Sequence, residues 1–138
     1  MRFTLAKEIK TKPMKTTLLA LASMIAATMG TIAEEAPKDE ATMLTTLLEA
    51  TQNNDLAKFE SVCDEEMKTA MTEPILTQVS EQVAAQMKEG YEKVFMGVLN
   101  RGEAKTYYWK LDFRGEGVPD MLAELTTQDG KAAGFFIR

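Results

Sequence analysis

Histidine is absent from the 138 residues of this chain. The commonest metal ligand and the usual general base at neutral pH are therefore missing. A Ser-His-Asp or Cys-His triad cannot be assembled within the chain, and a zinc site of mixed His and Cys ligands is excluded. The sequence accordingly predicts no catalytic residue, no metal ligand and no cofactor.

Cysteine is nearly absent as well, since Cys63 is the single one in the chain. One cysteine cannot form a disulfide within the chain, and a lone thiol is more often a small buried apolar group than a reactive one. The neighbouring residues Asp64, Glu65 and Glu66 are acidic, and negative charge raises the pKa of a thiol. This charge argues against an activated thiolate at Cys63.

Basic residues are scarce beyond the first 15 positions. Removal of residues 1–33, which hold five basic residues and one acidic residue, leaves 11 Lys and Arg against 20 Asp and Glu, a net charge of −9. Binding to a phosphate backbone needs clustered Lys and Arg. The composition therefore argues against a nucleic-acid partner.

The segment from residue 16 to residue 33 is uncharged, follows Lys15 and ends in small residues. A basic start, a short apolar centre and a small-residue cleavage site are the layout of a secretory signal peptide. Thr31 and Ala33 at the −3 and −1 positions indicate cleavage before Glu34. We therefore predict a signal peptide over residues 1–33, a periplasmic or secreted protein, and no membrane association after cleavage. The alternative is an uncleaved membrane anchor, for which the apolar run is short.

A short polar linker is predicted for residues 34–40, followed by one domain over residues 41–138. The domain opens with apolar residues at helical spacing. These are Met43, Leu44, Leu47 and Leu48.

Two further helices are predicted after the first. The polar residues 53–55 end the first helix and cap a short second one. A longer helix begins at Thr72, with Pro74 in its first turn, where a missing N–H costs little. Gly90 is a natural stop for this helix.

Beyond Gly90 the pattern alternates with a period of two, which predicts strands. The clearest strand runs from Lys105 to Phe113, with Tyr107, Trp109, Leu111 and Phe113 on one face. Alternation also places Val94, Met96 and Val98 on one face of an earlier strand, and Ala133, Phe135 and Ile137 on one face of the last. A tight hairpin turn is predicted at Asp129-Gly130.

Helices precede strands along the chain, which favours an α+β fold. We predict N-terminal helices packed on a four-stranded antiparallel sheet in a cone-like arrangement.

Two segments carry a resemblance to known proteins, residues 64–72 after the second helix and residues 129–135 in the last hairpin. Through them, residues 41–138 resemble the cystatin-like cone of the nuclear-transport-factor-two-like superfamily. Within it, the chain looks like a family of small exported bacterial domains of unassigned function. Enzymes of this superfamily often place a His/Asp pair in the cone, and the His is missing here. Fold likeness does not establish function.

Three aromatic residues, Tyr107, Trp109 and Phe113, are the candidates for a ligand pocket between the sheet and the helices. Ligand pockets are concave and mostly apolar, with a few polar groups. The alternative is that these side chains fill the core, because a domain this small has little other apolar volume. On the opposite face of the same strand, Tyr108, Lys110 and Asp112 are expected on a solvated surface, and a polar cluster of the three is the alternative.

Two functions of different classes follow. The first is an exported, non-catalytic binding or protein-interaction module, whose partner is an unknown protein or a small apolar ligand. Such a module could also form a homodimer through its sheet. The second is a cone-fold enzyme or small-molecule carrier with a cavity between helices and sheet. A deep cavity that holds an ionisable residue favours the second function, and a filled cone favours the first.

We expect the exported protein to begin at or near Glu34, because the basic, apolar and small-residue regions before it follow the order of a cleaved signal. Intact-mass measurement of the protein recovered outside the cytoplasm checks this. Recovery of the whole chain from the membrane fraction would instead show an anchor.

Overall fold

The computed structural model describes residues 34–138; the predicted signal peptide, residues 1–33, lies outside them. The described part confirms the α+β class, since four helices precede four strands. The helices are α1 (Lys38–Asn53), α2 (Leu56–Glu60), α3 (Glu65–Ala70) and α4 (Glu73–Lys88). The strands are β1 (Tyr91–Arg101), β2 (Ala104–Phe113), β3 (Met121–Gln128) and β4 (Lys131–Ile137). Within residues 34–138, no helix is long and apolar enough to cross a membrane.

The first helix, α1, begins at Lys38, so the last three residues of the linker predicted for residues 34–40 are helical. Its apolar stripe at Leu44, Leu47 and Leu48 is completely buried. The helix ends at Asn54, whose φ of 51° lies in the left-handed region that Asn tolerates. The helix and its end therefore follow the predicted pattern, and only the start differs.

Side-chain caps begin the two short helices. The Lys58 N–H donates to Oδ1 of Asp55 at 3.0 Å, and the Met67 N–H donates to Oδ1 of Asp64 at 2.7 Å. Each cap satisfies an N–H group that the first turn of a helix leaves without a partner. The predicted cap at residues 53–55 is thus confirmed at Asp55.

The fourth helix, α4, begins directly after Thr72, the residue at which the sequence predicted its start. Pro74 stands in the first turn of α4, as predicted, and the helix ends just before Gly90. Gly90 has a φ of 102°, a conformation that favours glycine.

The four strands form one antiparallel sheet in the order β1-β2-β3-β4. At the last hairpin, Asp129 and Gly130 have φ values of 51° and 75°, so both central residues take the positive φ of a type I′ turn. Each strand pairs with its neighbour in the chain, so the predicted four-stranded antiparallel sheet is a meander.

The inner face of β2 carries the core of the domain. Trp109 is 2% exposed, and its ring centroid lies 5.3 Å from that of Phe95 on β1. On its other side the register places Ala123 of β3 opposite Trp109, where a small residue leaves room for the indole. The buried side chains of α1 and α4 join this face in one apolar core.

A β-bulge in β1 contradicts the alternation predicted for that strand. Phe95 pairs with Trp109 and Gly97 pairs with Tyr108, so Met96 is an extra residue. An extra residue reverses the faces of all positions beyond it. Val98 therefore shares the inner face with Phe95, and the prediction that Val94, Met96 and Val98 share a face is wrong.

A second bulge corrects the prediction for β4. Thr126 pairs with Gly134 and Thr127 pairs with Ala132, which leaves Ala133 as the extra residue. Ala132 is fully buried, whereas Ala133 is not. Ala132, and not Ala133, therefore shares the core face with Phe135.

We expect Trp109→Ala to lower the free energy of unfolding by about 3–5 kcal/mol, the usual cost of truncating a large buried aromatic residue. Chemical denaturation measures this. Tyr108→Ala is the matched control, because Tyr108 is the adjacent residue on the opposite, half-exposed face. An equal loss in both variants would show that the two faces of β2 do not differ in burial.

Candidate functional site

The predicted pocket residues lie in the packed core. Tyr107, Trp109 and Phe113 are 4%, 2% and 6% exposed. The ring centroids of Tyr107 and Trp109 are 6.1 Å apart, and that of Phe113 lies 5.8 Å from the ring of Tyr91. None of the three side chains lines the surface depressions beside α1, α3 and α4. Their positions match the core-filling alternative that the sequence left open.

The hydroxyl of Tyr107 is the polar end of this aromatic row. It donates to Oε1 of Glu40 at 3.2 Å, in the first turn of α1. Burial raises the pKa of Tyr107 above its usual value, and the negative charge of Glu40 raises it further. The phenol therefore stays protonated at neutral pH. Sequence reasoning missed Glu40, because the two residues are 67 positions apart.

A small ionic cluster lies on the outer face of β2. Lys110 Nζ is 3.0 Å from Oδ2 of Asp112 and 3.4 Å from Oδ2 of Asp120. Hydrogen bonds to the two carboxylates raise the pKa of Lys110. All three side chains are over a third exposed, so the cluster stabilises the fold little. The solvated face expected at Lys110 is thus present, and Asp120 is the member that alternation along β2 could not reveal.

The thiol of Cys63 is buried beside the start of β4, where Cys63 forms a parallel bridge with Ala132. Cys63 is 2% exposed, and its Sγ donates to the carbonyl oxygen of Phe59 at 3.1 Å. Burial raises its pKa from 9.0 to about 11, and the charge of Asp64 adds to this. Such a thiol is a poor nucleophile at neutral pH.

The acidic run after Cys63 has a structural use. Asp64 caps α3, as described above, and Glu65 forms an ion pair with Lys68 at 2.8 Å. Across residues 34–138, no three Cys, Asp or Glu side chains come close enough together to hold a metal ion.

An apolar groove runs along β4, the last strand of the sheet. It consists of two adjoining depressions of about 210 and 280 Å³ that share Met71, Phe135 and Phe136. We call these two depressions the β4 groove. The first extends along α4 and the second along α3, where Glu66 is the one acidic lining residue. The lining of the first depression includes Ile75, Val79 and Ile137.

Main-chain hydrogen bonds show that only the first part of the outer edge of β4 is paired with another segment. At its start, the Ala132 N–H donates to the Val62 oxygen at 2.8 Å, and the Asp64 N–H donates to the Ala132 oxygen at 2.9 Å. The loop before α3 therefore covers the first part of the edge. Beyond Ala132, no strand of the described residues pairs with the outer edge of β4.

The second part of the edge carries main-chain groups that do not bond to β3. Arg138 and Leu122 exchange main-chain hydrogen bonds of 3.0 and 2.7 Å across β3 and β4. Because bonding alternates along an antiparallel pair, the N–H and C=O groups of Phe135 and Ile137 point away from β3. The groove therefore combines apolar side chains with unpaired main-chain groups.

The β4 groove was missed in the sequence, although one signal points to it. Two consecutive aromatic residues, Phe135 and Phe136, cannot both face the core of an alternating strand. Phe135 is buried, and Phe136 is 65% exposed. The helices that complete the groove are distant in sequence, so only the tertiary structure brings them to β4.

Two solved structures are similar to this chain. One is a proposed polyketide cyclase from Sinorhizobium meliloti, 18% identical with a TM-score of 0.40, and the match covers 70% of this chain and 94% of that one. The other is an uncharacterized cystatin-fold protein from Novosphingobium aromaticivorans, 10% identical with a TM-score of 0.38, covering 70% and 95%. No family model and no curated protein matches the chain.

We expect Cys63 in the native protein to react with iodoacetamide at pH 8 at least about a hundredfold more slowly than in the unfolded chain, because a pKa of about 11 leaves little thiolate. Mass spectrometry of quenched samples measures the two rates. Similar rates with and without denaturant would show an accessible, ionised thiol.

Proposed function

We propose that this protein is an exported, non-catalytic interaction module that binds an extended apolar segment of a partner protein in the β4 groove. The observation that carries the proposal is Phe136, a large aromatic side chain 65% exposed at the junction of two apolar depressions. Exposed apolar patches on soluble domains mark interaction surfaces. Export is supported by the signal-peptide layout of residues 16–33.

The form of the groove favours an extended ligand. The free N–H and C=O groups of Phe135 and Ile137 can pair with a strand added along β4. Side chains of such a strand point alternately to its two faces. One depression is lined by Ile137 and the other by Ala133, so an added strand passes the two depressions in succession. Main-chain pairing supplies affinity in this mode, and the depressions supply specificity.

Charge favours a basic partner. Residues 34–138 carry a net charge of −9, and Glu66 lies in the lining of the groove. An acidic surface attracts positively charged segments and repels phosphate backbones. We therefore propose a partner segment in which apolar residues alternate with Lys or Arg, and no nucleic-acid ligand.

The alternative function, an enzyme or small-molecule carrier, needs a cavity between the helices and the sheet. Tyr107, Trp109 and Phe113 fill that space with contacts to one another and to neighbouring aromatic rings. The phenol of Tyr107 and the thiol of Cys63 both have raised pKa values, which favour their neutral forms. These features support the binding module rather than an acid–base or nucleophilic mechanism.

The groove can be tested by selecting a display library of random heptapeptides on the purified protein. We expect enriched peptides that alternate apolar and basic residues, and we expect Phe136→Ser to weaken their binding at least about tenfold, as truncation of a central aromatic anchor does. Calorimetric titration with one enriched peptide measures the change.

Met96→Ser is the matched control, because Met96 is 63% exposed on β1, at the other end of the sheet. We expect it to leave peptide binding unchanged. Peptides that bind the Phe136→Ser variant as well as the unsubstituted protein would overturn the proposed site. Hydrolysis of ester, phosphoester, glycoside or peptide substrates that is lost in Tyr107→Phe would overturn the non-catalytic function.

A further inference from the structure

The outer edge of β1 is a second exposed surface, separate from the β4 groove. β1 ends the sheet order opposite β4 and has 11 residues. Within residues 34–138, no strand pairs with its outer edge. Four of its apolar side chains, Val94, Met96, Val98 and Leu99, are 39–63% exposed. A long apolar edge of this kind is a template for pairing with another strand.

The pairing of β1 with β2 determines which main-chain groups face outward. At one end, Gly90 accepts from the Arg114 N–H at 3.2 Å; at the other, Arg101 pairs with Ala104 across a two-residue turn. Bonding to β2 alternates inward from both ends. The residues whose N–H and C=O groups point away from β2 are then Tyr91, Lys93, Phe95, Val98 and Asn100.

The bulge at Met96 makes this edge complementary to itself. If two β1 strands run antiparallel with Gly97 facing Gly97 on a twofold axis, the outward main-chain groups of Lys93, Phe95, Val98 and Asn100 each meet an outward group of the second copy. In that register the extra residue Met96 of each copy has no opposite residue, so Phe95 lies opposite Val98 of the second copy. The remaining pairs are Val94 with Leu99, Lys93 with Asn100, and Glu92 with Arg101. Each pair also shares a face of the sheet, because each strand carries the same single extra residue.

Charge and backbone space support the same register. Glu92 and Arg101 are exposed, have opposite charges and form no ion pair within residues 34–138. In the twofold register, Glu92 of each copy lies opposite Arg101 of the other, which gives two such pairs. Gly97 has no atom within 4 Å of the place where a Cβ would stand, so nothing of the described chain obstructs close approach at the axis.

We propose that two copies of this protein pair antiparallel through their β1 edges, so that two four-stranded sheets form one continuous sheet of eight strands. The new ladder holds about eight main-chain hydrogen bonds, two for each of its four hydrogen-bonded pairs. It leaves the β4 groove of each copy free at the far ends of the joined sheet. The dimer is therefore independent of the peptide-binding function proposed above.

Sedimentation velocity over a range of protein concentrations tests the dimer. We expect a monomer–dimer equilibrium for the unsubstituted protein. In Glu92→Lys, like charges meet Arg101 twice, and we expect dimerisation to weaken about tenfold. The double variant Glu92→Lys with Arg101→Glu restores opposite charges, and we expect it to dimerise like the unsubstituted protein. Phe136→Ser is the control, since it alters the other end of the sheet.

Amide hydrogen exchange tests the register within the dimer. We expect exchange at Phe95 and Val98 to slow as protein concentration rises, whereas Val94 and Leu99, which bond to β2, are protected at all concentrations. A protein that stays monomeric up to about millimolar concentration overturns the proposal. So does a dimer that is unaffected by Glu92→Lys, or one that is lost in Phe136→Ser while peptide selection on the monomer still succeeds.

Discussion

Burial of the inner face of β2 is the interaction on which the rest of this structure depends. β2 is an interior strand, and its buried Trp109 lies between Phe95 on one side and Ala123 on the other. The apolar stripes of α1 and α4 join this face in a single core. In a domain of this size, one well-packed face uses much of the apolar volume that the chain has. The space that a cone-shaped fold could offer to a ligand is occupied by Tyr107, Trp109 and Phe113.

Because the core is filled, the candidate binding surfaces of this domain lie at the two edges of the sheet. The edge at β4 is half covered by the loop at Val62–Asp64, and its remainder forms the β4 groove between the strand and the helices. The edge at β1 is open and carries apolar residues between charged ends. The two edges differ in shape. The β4 edge lies beside helices that form a concave surface with it, whereas the β1 edge exposes its main chain. A concave apolar surface suits a side chain of a partner, and a bare edge suits another strand.

A β-bulge in each of the two edge strands, β1 and β4, determines which residues face the core and which face outward. Each inserts one residue, so that an alternating pattern changes face part-way along the strand. In β4 the bulge brings Ala132 into the core and lets the loop before α3 pair with it. In β1 the bulge takes Met96 out of the pairing, so that residues 92–95 on one side of Gly97 correspond in number to residues 98–101 on the other, and this equal number allows the strand to pair with a second copy of itself. Neither arrangement is visible in the order of apolar and polar residues, because a bulge is specified by pairing with the neighbouring strand.

The sequence by itself determined the local structure of this protein. Helical spacing identified the stripe of α1, the polar residues 53–55 marked its end, Asp129-Gly130 marked the hairpin, and strict alternation identified the buried face of β2. These signals are local, since capping, turn geometry and side-chain period act between residues a few positions apart. The tertiary structure alone decided that Tyr107 meets Glu40, that Ala133 is displaced by a bulge, and that Met71 of one segment and Phe136 of another line a single groove. These relations depend on which distant segments pack together, and no spacing within one segment records that.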